Sequence, residues 1–293
     1  MPNLDLLDDG VLEALRTDGL AVVEGWLDDV ELKASLDLID RFYPTWDEYA
    51  RAEAQSDTIA NSMPTHWAFT EFPDFPSELH FNVLRPDLID FARRFIGGDV
   101  LATQSGISAK YAGQHVIDQE LHTDTTNHSL VWAPQDYLAG MIYYTDVTAE
   151  NGPTYAVSRR HTANTPMYPR HRSRDLDPDL YEHELPILAP AGSLLLYTMS
   201  TFHRGSGMTA ATGRRVNHHW AYRPVKVDHI GWAPWPMRAA NPEMSRLLQL
   251  CSVEQRTAMG FPAPGDPYWT DVTLDGVALR YPDMDLLPYG FAR

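Results

Sequence analysis

The 293-residue sequence predicts a mainly β fold with helical flanks, and three observations carry that reading. Between residues 100 and 224, strand-forming stretches follow one another with no helical pattern between them. That order favours a sandwich or barrel over a parallel α/β sheet. Turn chemistry punctuates the stretches, with "ENGP" at 150–153 and "PAG" at 190–192. Helical spacing, by contrast, is confined to the two ends of the chain.

Taken in order, "LAVVEGW" (20–26) reads as a short buried strand. A helix follows from Asp28, which forms a capping box with Glu31; Leu32, Leu36, Ile39 and Tyr43 fall at helical spacing, and Pro44 ends the run. Residues 45–81 are rich in aromatics (Trp46, Tyr49, Trp67, Phe69, Phe72, Phe75, Phe81) but lack periodicity. They read either as a loop packed over the core or as the wall or lid of a pocket. A second helix starts at Pro86 and presents Leu88, Phe91, Phe95 and Ile96 on one face before Gly97 stops it. Strands are then expected in "VLATQSGISAKY", "HVIDQELHTD", "YLAGMIYYTDV", "GPTYAV", "GSLLLYTM" and "RRVNHHWAYR". The basic stretch 159–174 reads as a solvated loop or as a cover over an anionic substrate. After residue 240 the helical pattern returns. Asn241 caps a helix with Pro242 at its first position and Met244, Leu247, Leu248 and Cys251 on one face; Ser252 and Gln255 box a shorter one that Gly260 stops. With no repeat and no linker, one domain over 1–293 is expected, with a mixed flank to 99, a β core over 100–224 and a helical flank beyond.

The formal charge is −17. Nucleic acid and anionic membrane surfaces are therefore poor partners, since both need a basic face. A lone cysteine, Cys251, cannot form an intramolecular disulfide. The start "MPNLDLLDDG" lacks a signal-peptide pattern, and apolar runs such as "LLLY" (194–197) are too short to span a bilayer. A cytoplasmic protein acting on a small molecule is expected.

The chemistry concentrates in "LHTDTTNH" (121–128). On a strand, residues i and i+2 share a face, so His122 and Asp124 can converge on one metal ion. His203, in "TFHRGSG" directly after a predicted strand, is the best third ligand. Two histidines and one carboxylate on one face of an octahedron leave three positions open, the facial triad of non-haem Fe(II) oxygenases. Three open positions suit a bidentate 2-oxo acid plus O2. If that acid is 2-oxoglutarate, its far carboxylate needs a buried cation, and Arg214, eleven residues after His203, supplies a planar fork for it.

Here the sequence resembles the phytanoyl-CoA dioxygenase family of Fe(II)/2-oxoglutarate-dependent oxygenases. The likeness is carried by "HTD" (122–124), "NGPTYAVSRRH" (151–161), "AGSLLLYTMSTFHRGSG" (191–207) and the offset of Arg214. The resemblance implies a double-stranded β-helix, or jelly roll, with iron at its open mouth. It implies Fe(II) as cofactor, 2-oxoglutarate as co-substrate and O2, with succinate and CO2 released. It also places Gln104 where relatives hold co-substrate or substrate. The expected reaction is hydroxylation of a small organic molecule. Desaturation, epoxidation or ring formation at the same centre, and a non-enzymatic jelly-roll binding protein, are the alternatives. Where relatives have a hydroxyl two residues after the distal histidine, this chain has Gly205, with Ser206 one further. Arg215 adjoins Arg214 and is expected on the opposite face, while His218 shares the parity of Arg214, so it reads either as a pocket residue or as a packed or surface one. His115, His128 and His219 are expected to pack or to face solvent.

Overall fold

The computed structural model describes residues 6–54, 68–114, 118–124, 137–166, 170–225 and 241–291. Two antiparallel sheets face each other, as the sequence predicts. The strands are β1 (Leu20–Val23), β2 (Ala68–Glu71), β3 (Val100–Tyr111), β4 (Leu121–His122), β5 (Leu138–Tyr143), β6 (Thr154–Val157), β7 (His171–Arg172), β8 (Glu184–Ile187), β9 (Leu194–Thr198), β10 (His203–Gly205) and β11 (Arg214–Pro224). The larger sheet runs β1-β9-β5-β11-β3-β2 and the smaller β7-β4-β10-β6-β8.

Each central strand of the larger sheet is buried on both faces, which explains continuous apolar runs such as "LAGMIY". Leu138 and Ile142 of β5, Leu194 and Leu196 of β9, and Val216, Trp220 and Tyr222 of β11 pack in the main core with Leu15, Leu88 and Phe91 of the flanking helices. Their odd-numbered neighbours Ala139, Met141, Tyr143, Leu195, Tyr197 and Ala221 form a second cluster with Ala156 and Ile187 of the smaller sheet. Gly140 sits where β5 passes closest to its neighbours. A Cβ there would overlap the Leu195 carbonyl oxygen and the Trp220 ring. Gly140→Ala is expected to cost roughly 1–3 kcal/mol, read as a lowered urea midpoint.

The predicted helical flanks form. Asp28 and Glu31 make the reciprocal capping box of the helix Asp29–Ile39. The helix Pro86–Ile96 ends at Gly97, whose φ is 80°. Asn241 caps the helix Pro242–Leu250 and the Ser252–Gln255 box caps the helix Val253–Ala258, as expected. Helices Asp9–Asp18 and Asp271–Arg280 were not anticipated. Within the aromatic stretch 45–81, residues 55–67, with Trp67, lie outside the described residues, and the described parts include regular elements that the missing periodicity did not predict. Thr45 and Glu48 exchange capping bonds at the start of the helix Trp46–Ala54, and Tyr49 stacks on Tyr111 with ring centroids 4.3 Å apart. The expected strand over 115–124 is reduced to Leu121–His122, with residues 115–117 outside the described residues. Strand β8 escapes sequence detection because of Pro186, which an edge strand tolerates. No helix among the described residues is long and apolar enough to cross a membrane.

On the helix side of the larger sheet runs a buried polar chain. His80 Nδ1 lies 2.8 Å from the Ser105 hydroxyl, which lies 2.7 Å from His218 Nε2. His218 Nδ1 meets the Tyr144 hydroxyl at 3.1 Å, and Asn82 donates to that hydroxyl at 3.0 Å. Both histidines are fully buried. Burial pushes His80 down to about 3 and His218 well below its ordinary value, with His80 and His219 adding to the latter. The folded pKa values lie below the unfolded value near 6.5, so these groups stabilise the protein above that pH and lose stability as pH falls toward 3. The expected loss is about 2 kcal/mol per histidine at pH 5. Urea midpoints measured from pH 7.5 to 5 check this, and His80→Gln is expected to flatten the decline.

Candidate metal and co-substrate site

Strands β4 and β10 pair at one register position, His122 opposite His203. That single pairing brings two imidazoles side by side, with ring centroids 4.6 Å apart. Thr123, next in sequence after His122, is fully buried, and Asp124 joins the two histidines. The Asp124 N–H donates to the Met199 carbonyl at 3.0 Å, tying this turn to the chain after β9. His122 Nε2 is 4.0 Å from Asp124 Oδ1, and His203 Nε2 is 3.6 Å from Asp124 Oδ2. One ligand atom from each of the three residues lies within 4.8 Å of the others.

The tautomers suit ligation. Nδ1 of His122 donates to the Glu120 carbonyl at 2.9 Å, and Nδ1 of His203 donates to the Thr201 carbonyl at 3.0 Å. Each ring thus presents a lone pair on Nε2. Burial, reinforced by His203, pushes His122 down to about 4 despite Asp124 beside it. Neutral imidazole is the form that binds metal. The Tyr197 hydroxyl hydrogen-bonds Asp124; burial first and the Asp124 carboxylate second raise its pKa well above the ordinary value.

The triad opens into a cavity of about 230 Å³ between the sheets. Gln104, on β3, lines it. Arg214 does not. Its guanidinium turns away to the Pro44 carbonyl at 2.7 Å, the Tyr43 carbonyl and the Asp40 carboxylate. Arg215 lines the cavity instead, only 3% exposed, donating to the Gly152 carbonyl at 2.6 Å. The expected strand parity is therefore off by one. Val216, Trp220 and Tyr222 must face the helices, which turns the odd residues inward. For the same reason His218 faces the helical side, and it is His219 that lines the cavity, pushed down to about 3 by burial and Arg215.

Lys110, Tyr197 and Glu71 also line the cavity and had not been singled out for the site, and so does Phe69, from the aromatic stretch read as a packed loop or a pocket wall. The Phe69 ring packs against Gly106, where a Cβ would strike it. Gly205 lines the cavity, but the Ser206 hydroxyl turns away to the Pro153 carbonyl at 2.7 Å. In the basic stretch, Arg160 pairs with Asp18 at 2.6 Å and Arg174 with Glu184 at 2.9 Å. His115 and His128 lie outside the described residues.

The sequence model of the phytanoyl-CoA dioxygenase (PhyH) family matches residues 15–216. A search of curated proteins finds no match. Among solved structures, the chain is similar to SnoK, a non-haem α-ketoglutarate-dependent carbocyclase from nogalamycin biosynthesis. Identity is 19% and the TM-score 0.60, over 82% of this chain and 93% of that one. It is also similar to HygX from Streptomyces hygroscopicus with nickel and 2-oxoglutarate bound, at 14% identity and TM-score 0.55, over 76% and 97% of the two chains. The epimerase SnoN matches at 16% identity and TM-score 0.55, over 73% and 82%. At these identities the structural likeness carries the fold.

Proposed function

Because this chain belongs to the phytanoyl-CoA dioxygenase family, we propose that His122, Asp124 and His203 hold Fe(II), and that the protein oxidises a small organic molecule, by hydroxylation, with 2-oxoglutarate as co-substrate. One observation carries this reading. Two Nε2 lone pairs and a carboxylate converge in a cavity whose wall also holds a buried guanidinium. The donor set fits a ferrous ion. Arg215 fits the distal carboxylate, since its Nε has no hydrogen-bond partner among the described residues.

Bound Fe(II) and 2-oxoglutarate supply O2 activation, with succinate and CO2 released. The chain's own residues hold and orient. Backbone carbonyls of Glu120 and Thr201 fix the two imidazoles, and Tyr197 steadies the Asp124 carboxylate. Gln104, Phe69 and Glu71 form wall that faces the substrate. The Asp124 carboxylate would take a place on the metal that a halide would otherwise need, so oxygenated and not halogenated product is the expected outcome.

Proteins of similar fold are named as a carbocyclase and an epimerase, which supports ring formation as the second reading at the same centre. The test is anaerobic addition of Fe(II) and 2-oxoglutarate. A weak visible charge-transfer band and a substrate-dependent release of succinate are expected. No band and no succinate with any candidate substrate would favour a non-enzymatic binding protein. Mass spectrometry of the product distinguishes added oxygen from a new ring or double bond.

A further inference from the structure

We propose that Thr201 is a positioning residue of the metal centre: its hydroxyl, anchored on the Gly19 carbonyl, fixes the turn whose backbone holds both His203 and Asp124. The assignment rests on the metal reading above. The turn spans residues 199–202, between β9 and β10. Its carbonyls do the holding. The Thr201 carbonyl accepts from His203 Nδ1 at 3.0 Å, and the Met199 carbonyl accepts from the Asp124 N–H at 3.0 Å. The Phe202 carbonyl accepts from the Val157 N–H at 2.9 Å, which joins the turn to β6. Two of the three ligands are therefore placed by where this short piece of backbone lies.

The side chain that anchors the turn is Thr201, which has no exposure. Its hydroxyl donates to the Gly19 carbonyl at 2.7 Å, across 182 residues of sequence. Gly19 precedes β1 and receives a second bond from the Thr198 N–H at 2.9 Å, which extends the β1–β9 ladder. The Thr201 proton is spent on Gly19, so in the 3.0 Å contact between the two threonine hydroxyls it is Thr198 that donates. A hydroxyl bonded in both directions has one orientation. Gly19 itself ends the helix Asp9–Asp18 with φ 76°, and its N–H donates to the Leu15 carbonyl. A Cβ at Gly19 would lie 2.6 Å from the Thr201 hydroxyl oxygen and 2.5 Å from the Arg159 side chain. Glycine is thus required twice, for the left-handed cap and for the approach of the hydroxyl.

Groups that orient metal ligands from behind contribute to metal affinity beyond their share of stability. Removing this hydroxyl leaves the Gly19 carbonyl its bond from the Thr198 N–H, and leaves the Thr198 hydroxyl its contact with Ser200 at 3.0 Å. No buried partner is orphaned, so the fold loses little while the turn loses its anchor on the N-terminal segment.

The test is anaerobic Fe(II) titration of the metal-free protein in competition with a chelator, with the melting temperature of the metal-free form read alongside. Thr201→Val is expected to weaken Fe(II) about 10–100-fold, the range for a lost supporting partner, with melting near the wild-type temperature. Thr201→Ala puts no methyl against the Gly19 carbonyl, so it folds even if the valine variant does not, and the same loss is expected. Thr201→Ser restores the hydroxyl and is expected to bind Fe(II) close to wild type. Unchanged affinity in the valine and alanine variants would overturn the assignment. A serine variant as weak as the other two would overturn it as well, by making the methyl group and not the hydroxyl the cause. A loss matched by melting at the assay temperature would make Thr201 a structural post only. Absence of Fe(II) binding in the wild type would overturn the metal reading and this assignment together, whereas wild-type binding that both hydroxyl-free variants retain would overturn this assignment alone.

Discussion

Asp124→Ala and His203→Ala are each expected to abolish turnover and to lower Fe(II) affinity by more than about a hundred-fold, since loss of a supporting partner alone typically costs about 10–100-fold. The geometry gives no substitute. One ligand atom from each of His122, Asp124 and His203 lies within 4.8 Å of the others, and no other such group of three exists among the described residues. Removing the carboxylate leaves two neutral imidazoles and takes away the only negative charge the triad sets against a divalent ion. His203→Ala keeps the backbone pairing with His122 and removes only the imidazole. Iron titrations monitored by the charge-transfer band, alongside succinate release, check both. If either variant retained full iron-dependent activity, the triad assignment would be wrong.

The second large effect separates two adjacent arginines. Arg215→Ala is expected to raise the 2-oxoglutarate requirement on the order of a hundred-fold or more, because breaking a buried charge pair typically costs roughly 3–5 kcal/mol. Arg214→Ala should leave that requirement near wild type and instead lower stability. Its guanidinium ties β11 to the segment after the helix Asp29–Ile39, through Asp40 and the carbonyls of Tyr43 and Pro44. Apparent KM for 2-oxoglutarate and the melting temperature, measured for both variants, give opposite rankings. A KM rise confined to Arg214→Ala would mean that β11 presents its even residues to the cavity.

That pair of arginines also shows what the sequence made legible. The i, i+2 spacing of His122 and Asp124 is local, and so is the run of strands before His203, so these three residues could be found from pattern alone. The parity of β11 was also present in the sequence. Val216, Trp220 and Tyr222 alternate with Arg215, Asn217 and His219, and a strand between helices and a polar cavity must turn its apolar face to the helices. The sequence-based choice of Arg214 followed a motif offset in place of that alternation. Other features were not legible. Lys110 in "SAKY" resembles any strand lysine, and only its register with Arg215 buries it. Strands β4 and β10 are two and three residues long, too short to show a period, and their pairing joins segments some eighty residues apart.

The lone β4–β10 pairing has a consequence for which ion the protein carries. The ladder and the Asp124–Met199 bond tie the three donors to one another through the backbone. Two imidazoles and a carboxylate held together suit several divalent ions, not ferrous iron alone. By the Irving–Williams order, cobalt, nickel and copper outbind ferrous iron at nitrogen–oxygen sites. Protein isolated over an immobilised nickel resin is thus expected to emerge loaded with the wrong element and inactive. Activity should return after stripping with a chelator and anaerobic refilling with Fe(II), so the cell's supply of iron, and not the preference of the site, decides whether the enzyme works.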